Sequence, residues 1–350
     1  MRVSIVGDRF VTCGVLQAAF EKAFSGSGLE FEYNYLTTDW PTIPVQKIEE
    51  VSECVGDPDE IARTVVNAEI ILTHSSPFVR RAITGARSLK VLGAARGGPV
   101  NINWSACTEL GIPVLYAPGR NSGAVAEFTV GTMLAQSRNI TRSHMSLMVD
   151  HRWRGDLYVH EMVGNELGCS VVGLIGLGAI GVKVGRIVSA FGARVLVYDP
   201  FVKPEDMLSQ GYQPVTLDEL LAQSDYISLH ARLTKETNGL IGPREIGLMK
   251  RTAYLVNTAR GELIQYDALY AAMKEHRIAG AALDLFESEP PPDSSPLFQL
   301  ENVTATSHLA GASIQAAEIG AAVLCKGIYE YLVEKKQPRY CVNPDFTKHF

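Results

Sequence analysis

Three residues whose types do proton and carboxylate chemistry stand in short loops directly after apolar runs. Arg260 lies in Val256-Asn257-Thr258-Ala259-Arg260-Gly261, Glu289 in Asp284-Leu285-Phe286-Glu287-Ser288-Glu289-Pro290, and His308 in Thr306-Ser307-His308-Leu309-Ala310-Gly311. A guanidinium is planar and presents paired donors, so Arg260 suits a carboxylate held bidentately. An imidazole exchanges protons near neutral pH, which suits His308 to a hydroxyl or carbonyl oxygen. A carboxylate beside it favours the imidazolium, a part that Glu289 could take. Singly, such residues are more often a surface ion pair, an ordinary loop acid or a histidine satisfied within the fold. What they do together depends on the elements that position them.

The first such element is the stretch from Val171 to Asp199. Gly176-Leu177-Gly178-Ala179-Ile180-Gly181 spells GxGxxG, which with 31 glycines in 350 residues arises by chance about 0.24 times in such a chain, so the context must decide. Here an apolar strand, Val171 to Ile175, precedes the loop and a helix, Val182 to Phe191, follows it. A second strand, Arg194 to Tyr198, ends at Asp199. This is a dinucleotide-binding unit: Gly176 permits the tight turn, Gly178 lets the backbone approach a pyrophosphate, and Gly181 lets helix and strand pack closely. Phosphates meet the free helix N-terminus. Asp199 accepts hydrogen bonds from ribose hydroxyls and repels a 2'-phosphate, which selects NAD over NADP.

Around this unit, short β-branched runs alternate with helical patterns, so the fold class is α/β with parallel sheets. The first half places strands at Val3 to Val6, Ile70 to Thr73, Val91 to Ala94 and Val114 to Tyr116. Between the first two, a helix begins at the N-cap Asp57 with Pro58 in its first position and runs to about Ala68. The second half places six strands at Val171 to Ile175, Arg194 to Tyr198, Tyr226 to His230, Tyr254 to Asn257, Ala281 to Leu285 and Val303 to Thr306. Asn121 to Asp150 reads as one long connecting helix. Ala312 to Lys336 reads as a further helix that returns to the first domain and makes it discontinuous. The expected division is 1–121 with 310–350, and 122–309, leaving a cleft between two domains.

The composition sets bounds. Acidic side chains number 38 against 32 basic ones, a formal charge of -6 without a long single-sign run, which disfavours a nucleic-acid partner. No window approaches a membrane span, and the N-terminal apolar run is too short and charge-interrupted for a signal peptide. The cysteines Cys13, Cys54, Cys107, Cys169, Cys325 and Cys341 show no ligand spacing. They read as free, mostly buried thiols, with no metal site, in a reduced cytoplasmic setting.

Residues from about Val91 to Glu334 resemble the D-isomer-specific 2-hydroxyacid dehydrogenases, including phosphoglycerate dehydrogenase. The matching segments are Asn121 to Glu127, the Gly176 loop, Val256 to Gly261, Ala281 to Pro290 and His308 to Ser313. The resemblance implies two doubly wound parallel-sheet domains, a flavodoxin-like substrate domain and an inserted Rossmann NAD-binding domain. It implies that Arg260 binds the substrate carboxylate, His308 is the acid/base and Glu289 pairs with it. It also implies cofactor contacts from Gly176, Gly178, Ala179, Ile180, Gly181, Asp199, His230, Thr258 and Ala259, with Asp284 near the nicotinamide carboxamide. The family's carboxylate loop corresponds to Ala95 to Asn101, where the Gly97 and Gly98 amides face the substrate.

Two positions depart from the family pattern. Arg96 stands where a small residue is common, and two roles are open to it: recognition of an additional anionic or hydroxylated group, or a structural ion pair. Ala231-Arg232 replaces the usual proline-containing turn after His230. The expected activity is hydride transfer between NAD and a D-2-hydroxyacid, as a homodimer formed through the Asn121 to Asp150 segment. Phosphoglycerate dehydrogenase itself and an NAD-sensing corepressor-like interaction protein are the alternatives. Formate-dehydrogenase-like chemistry is disfavoured, because that branch carries glutamine where Glu289 stands.

Overall fold

The computed structural model describes residues 1–40 and 46–346. It divides into two compact units, Met1–Asn121 with Ala312–Phe350, and Ser122–Gly311. The last four residues of the expected 310–350 segment lie outside the described residues.

Unit 1 is a parallel sheet of β1 (Arg2–Gly7), β2 (Glu32–Thr37), β5 (Ile70–Thr73), β6 (Val91–Ala94) and β7 (Val114–Tyr116), in the order β2-β1-β5-β6-β7. A separate antiparallel hairpin joins β3 (Gln46–Ile48) and β4 (Val51–Cys54). β5 and β6 are buried along their whole length, as strands covered on both faces must be. One face carries Leu16, Phe20 and Phe24 from the helix Cys13–Phe24 against Ala321, Leu324 and Ile328 from the helix Ile314–Leu332. The other carries Ile61 and Val65, Ala82 and Ile83, and Ala106 from three shorter helices. The sheet is therefore doubly wound.

Unit 2 is a parallel sheet of seven strands: β8 (Val171–Ile175), β9 (Arg194–Tyr198), β10 (Gln213–Pro214), β11 (Tyr226–Leu229), β12 (Tyr254–Asn257), β13 (Gly280–Leu283) and β14 (Val303–Ala305). Their order is β10-β9-β8-β11-β12-β13-β14, reversing between β8 and β11. The first six elements of that order follow the dinucleotide-binding winding. Helix Ser122–Ser137 packs Ala126, Val130 and Met133 into the core formed by Val172, Leu174, Val184 and Val188.

Several elements differ from the sequence expectation, each for a local reason. β10 is a two-residue edge strand containing a proline and carries no periodic signal. β2, Glu-Tyr-Asn-Tyr-Leu-Thr, is also an edge strand, too polar to read as core. The helix Cys13–Phe24 before it went unread. The expected single helix over Asn121 to Asp150 is two, Ser122–Ser137 and Ile140–Met148. The break falls at Asn139, which sits at φ 54° and donates its side-chain amide to Met162 O at 2.7 Å. Asparagine is among the few residues that occupy this left-handed region readily. All six cysteines are free, with Cys54, Cys107 and Cys325 buried but Cys169 exposed. No helix among the described residues is long and apolar enough to cross a membrane, and they hold no cluster of metal-ligating side chains.

Candidate active site

In unit 2 the chemistry-bearing residues occur at the carboxyl ends of adjacent strands. The glycine loop follows β8, Asp199 follows β9, His230 follows β11, Thr258 to Arg260 follow β12, Asp284 follows β13 and His308 follows β14. Parallel strands all deliver their loops to one edge, which is how residues far apart in sequence come to share a crevice.

The glycine loop fits a dinucleotide on backbone grounds. Gly176 has φ 98°, and a Cβ there would stand 2.8 Å from Ala231 N. A Cβ on Gly181 would stand 2.3 Å from Gly176 O, so the turn closes only with hydrogen at both positions. At Gly178 a Cβ would meet nothing within 4 Å, the open approach a pyrophosphate needs beside the helix Ala179–Ala190 that the loop starts. The first amides of that helix, at Ala179, Ile180 and Gly181, lack intrahelical acceptors by construction. Asp199 closes the loop from the next strand: its Oδ2 accepts from Leu177 N at 2.7 Å and its Oδ1 from Phe201 N at 2.9 Å.

His230 has Nε2 against Ser228 Oγ at 2.9 Å, while its buried Nδ1 finds no partner. Burial pushes its pKa down to about 4, so the ring is neutral. Thr258 is buried, with its hydroxyl 2.7 Å from Thr129 Oγ1, which ties the β12 loop to the first helix of the unit. Ala259 N donates to Asn257 Oδ1 at 3.0 Å, and Asn257 Nδ2 returns a bond to Arg260 O at 2.8 Å. The turn that presents Arg260 is thus bonded at both ends. The guanidinium is exposed and donates to Ala259 O at 2.7 Å.

His308 Nδ1 lies 2.8 Å from Glu289 Oε2, with side chains 53% and 25% exposed respectively. The hydrogen bond to Glu289 raises the His308 pKa against the opposing effect of burial, and the Glu289 and Asp284 charges add to the rise. Burial pushes Glu289 up, but its bond to His308, the imidazolium charge and the amide of Phe286 at 3.2 Å outweigh that and leave it lowered. Both shifts favour the ion pair.

Asp284, fully buried, holds the His308 turn. Its Oδ1 accepts from Thr306 Oγ1 at 2.6 Å and Leu309 N at 2.8 Å, its Oδ2 from Ala310 N at 2.8 Å, and its carbonyl from His308 N at 2.9 Å. These bonds support His308 at φ 54°, a left-handed conformation that costs a non-glycine residue energy.

In unit 1, a Cβ on Gly97 or Gly98 would meet open space. Arg96 pairs with the Glu53 carboxylate and donates from Nη1 to Glu53 O at 2.9 Å, the structural ion pair of its two open roles. The sequence reading passed over three residues at this edge: Asp8, His74 and Arg120. Asp8 and His74 directly follow the apolar strands β1 and β5, a placement that signals them, and Arg120 lies four residues beyond β7.

A family model described as "D-isomer specific 2-hydroxyacid dehydrogenase, NAD binding domain" matches residues 130–310. The chain is 39% identical to a D-3-phosphoglycerate dehydrogenase of Methanocaldococcus jannaschii over 291 residues, 82% of this chain and 54% of the relative. It therefore spans about half the length of that relative. It is 36% identical to a hydroxypyruvate reductase of Thermotoga maritima over 290 residues, 82% of this chain and 92% of the relative. In fold it resembles the NAD-complexed form of a D-isomer specific 2-hydroxyacid dehydrogenase from Lactobacillus delbrueckii ssp. bulgaricus. That likeness has a TM-score of 0.77 at 24% identity, covering 98% of this chain and all of the other.

Proposed function

The chain belongs to the D-isomer specific 2-hydroxyacid dehydrogenase family and carries its NAD-binding domain, and from that premise we propose that it reversibly interconverts a D-2-hydroxyacid and the corresponding 2-ketoacid. The observation that carries this reading is the 2.8 Å His308–Glu289 pair, standing at the same sheet edge as Arg260 and the glycine loop.

The Gly176 to Gly181 loop and Asp199 would hold NAD, which would supply a hydride acceptor in oxidation and, as NADH, a donor in reduction. His308 accepts the hydroxyl proton at its free Nε2 in oxidation and returns one to the carbonyl oxygen in reduction, while Nδ1 stays bonded to Glu289. The Glu289 carboxylate raises the His308 pKa and so widens the pH range in which the ring carries the proton that reduction needs. Arg260 holds the substrate carboxylate with its paired donors. Asp284 keeps His308 in its strained turn through three carboxylate hydrogen bonds.

Unit 1, Met1–Asn121 with Ala312–Phe350, is the substrate domain in this reading. The Gly97 and Gly98 amides take the carboxylate, and Arg96, tied to Glu53, braces their loop. Within the Asn121 to Asp150 segment, the exposed apolar side chains Ile140, Met145, Leu147, Met148 and Val149 are the surface proposed for dimerisation. Six free thiols fit a reducing compartment such as the cytoplasm.

The experiment is NADH consumption with a panel of 2-ketoacids that includes hydroxypyruvate, glyoxylate and phosphohydroxypyruvate. Steady turnover on at least one supports the reading; NADH binding with none turned over overturns it. Light scattering should give twice the chain mass, and a monomer would remove the dimer.

A further inference from the structure

The sheet of unit 1 reverses its strand order between β1 and β5. Open α/β sheets leave a crevice at such a reversal, outside the carboxyl ends of the strands. Asp8 follows β1 and His74 follows β5, at the reversal itself. Arg96 follows β6, and Arg120 lies four residues beyond β7.

These side chains form a relay. Asp8 is buried and its oxygens accept from Phe10 N at 2.9 Å, Val11 N at 2.8 Å, Ser75 Oγ at 2.5 Å and His74 Nδ1 at 2.7 Å. Burial pushes the Asp8 pKa up, but the bonds from His74, Ser75 and Val11 outweigh it and leave a carboxylate. Burial lowers the His74 pKa further than Asp8 raises it, so the ring is neutral. With its one proton on Nδ1 toward Asp8, Nε2 is an acceptor, and Arg120 Nη2 stands 3.1 Å from it. Arg120 Nη1 donates to Ala316 O at 3.2 Å, and the guanidinium lies 5.5 Å over the Phe10 ring.

Arg120 is fixed but not neutralised. Of its five donors two are engaged by neutral acceptors, Nε is buried without a partner, and no carboxylate among the described residues forms an ion pair with it. Burial and the nearby charge of Arg96 pull its pKa down to about 10. Arg96 itself is spent on Glu53. Ser76 Oγ and Asn101 Oδ1, in the loops after β5 and β6, are likewise buried without partners, while Asn101 Nδ2 donates to His74 O and Ser76 O. A desolvated cation without a counter-ion is costly, and unpartnered polar atoms gathered at one strand edge call for a reason.

We propose that Arg120, oriented by the Asp8–His74 relay, is the specificity-determining residue of this chain and receives a second oxyanion of the substrate, beyond the carboxylate on the reacting carbon. The substrate class is then a 2-ketoacid or 2-hydroxyacid with a carboxylate or phosphate at its far end. This deepens the reading of unit 1 as the substrate domain and rests on it.

The test compares NADH-dependent kcat/KM on glyoxylate and pyruvate, which lack a second anion, with that on oxaloacetate, 2-oxoglutarate and 3-phosphohydroxypyruvate. Wild type should favour at least one of the latter three, and which one separates carboxylate from phosphate. In Arg120→Gln the ratio of the best doubly anionic acid to glyoxylate should fall about 10- to 100-fold, the size of a charged hydrogen-bonded contact. Arg120→Lys should lose part of that ratio, since an ammonium lacks the planar fork. Equal losses across the panel, or a wild type without preference, would overturn the proposal. Should Arg120→Gln fail to fold, the lysine variant decides in the same way: an unchanged ratio overturns it. Calorimetric titration of NAD-loaded wild type and variant with the doubly anionic acids needs no turnover. If no 2-ketoacid is reduced, the proposed activity falls, while weaker dianion binding by the variant still upholds the role of Arg120 and equal binding ends it.

Discussion

Both units pair a histidine with a carboxylate at the carboxyl ends of parallel strands, and the two pairs behave oppositely. His308 and Glu289 are 2.8 Å apart with the imidazole 53% exposed; His74 and Asp8 are 2.7 Å apart with the imidazole 6% exposed. In the exposed pair the carboxylate wins and the histidine pKa rises. In the buried pair desolvation wins and it falls, although the partner is the same kind of group. The contact therefore does not decide the chemistry; solvent access does. One imidazole is poised to exchange a proton, and the other is locked as a neutral acceptor for Arg120.

The largest effect should come from breaking the exposed pair at its reactive member. His308→Ala should lower turnover by on the order of 10² to 10⁴, the range for general acid/base catalysis, with NADH affinity retained in a fluorescence titration. A loss under tenfold would move the proton transfer elsewhere.

Breaking the buried pair should register as stability. Asp8→Ala leaves the His74, Ser75, Phe10 and Val11 donors unmet and should cost about 3 kcal/mol in urea unfolding. The pH dependences of the two histidines also have opposite signs, while both carboxylates are lowered. Asp8 and His74 both have lowered folded-state pKa values, so their stabilisation is present at neutral pH. That of His74 is lost as pH falls below its unfolded value near about 6.5, and that of Asp8 as pH falls through the lowered carboxyl value. His308, with a raised pKa, contributes stability below about 6.5 that is lost as pH rises through its folded value. Acid unfolding that Asp8→Ala leaves unchanged would break the contrast.

A smaller change should sharpen it. Glu289→Gln removes the charge that raises His308, so the midpoint of the ketoacid-reduction profile should move to lower pH, with turnover reduced about tenfold. An unmoved midpoint would separate Glu289 from the His308 titration. The smallest effect should be at the cofactor: Asp199→Ala should lose about tenfold in its preference for NAD over NADP, measured as a ratio of kcat/KM values.

The same two regions differ in how much the sequence disclosed. Unit 2 was legible because its loop chemistry is local: the glycine spacing, the strand before it and the acid after β9 lie within one βαβ stretch. Arg260 and Glu289 follow the buried strands β12 and β13, and His308 follows the short edge strand β14. Even there, the hold of Asp284 on the His308 turn was hidden, since its three hydrogen bonds span 22 to 26 residues. Unit 1 was less legible. Its relay joins Asp8 to His74 across 66 residues and His74 to Arg120 across 46, and only the strand order brings those loops together. β2 and β10 escaped because edge strands need no continuous apolar run. Asn139 splits a helix whose apolar pattern runs on past it.

The most direct test of the account is the pH profile of kcat/KM for NADH-dependent ketoacid reduction in wild type and His308→Ala. Wild type should be fastest where His308 is protonated and fall through a single ionisation above the ordinary histidine value of 6.5, and the variant should be slow with that ionisation gone. A variant that keeps both the wild-type rate and the wild-type ionisation would contradict the assignment of proton transfer to the exposed pair.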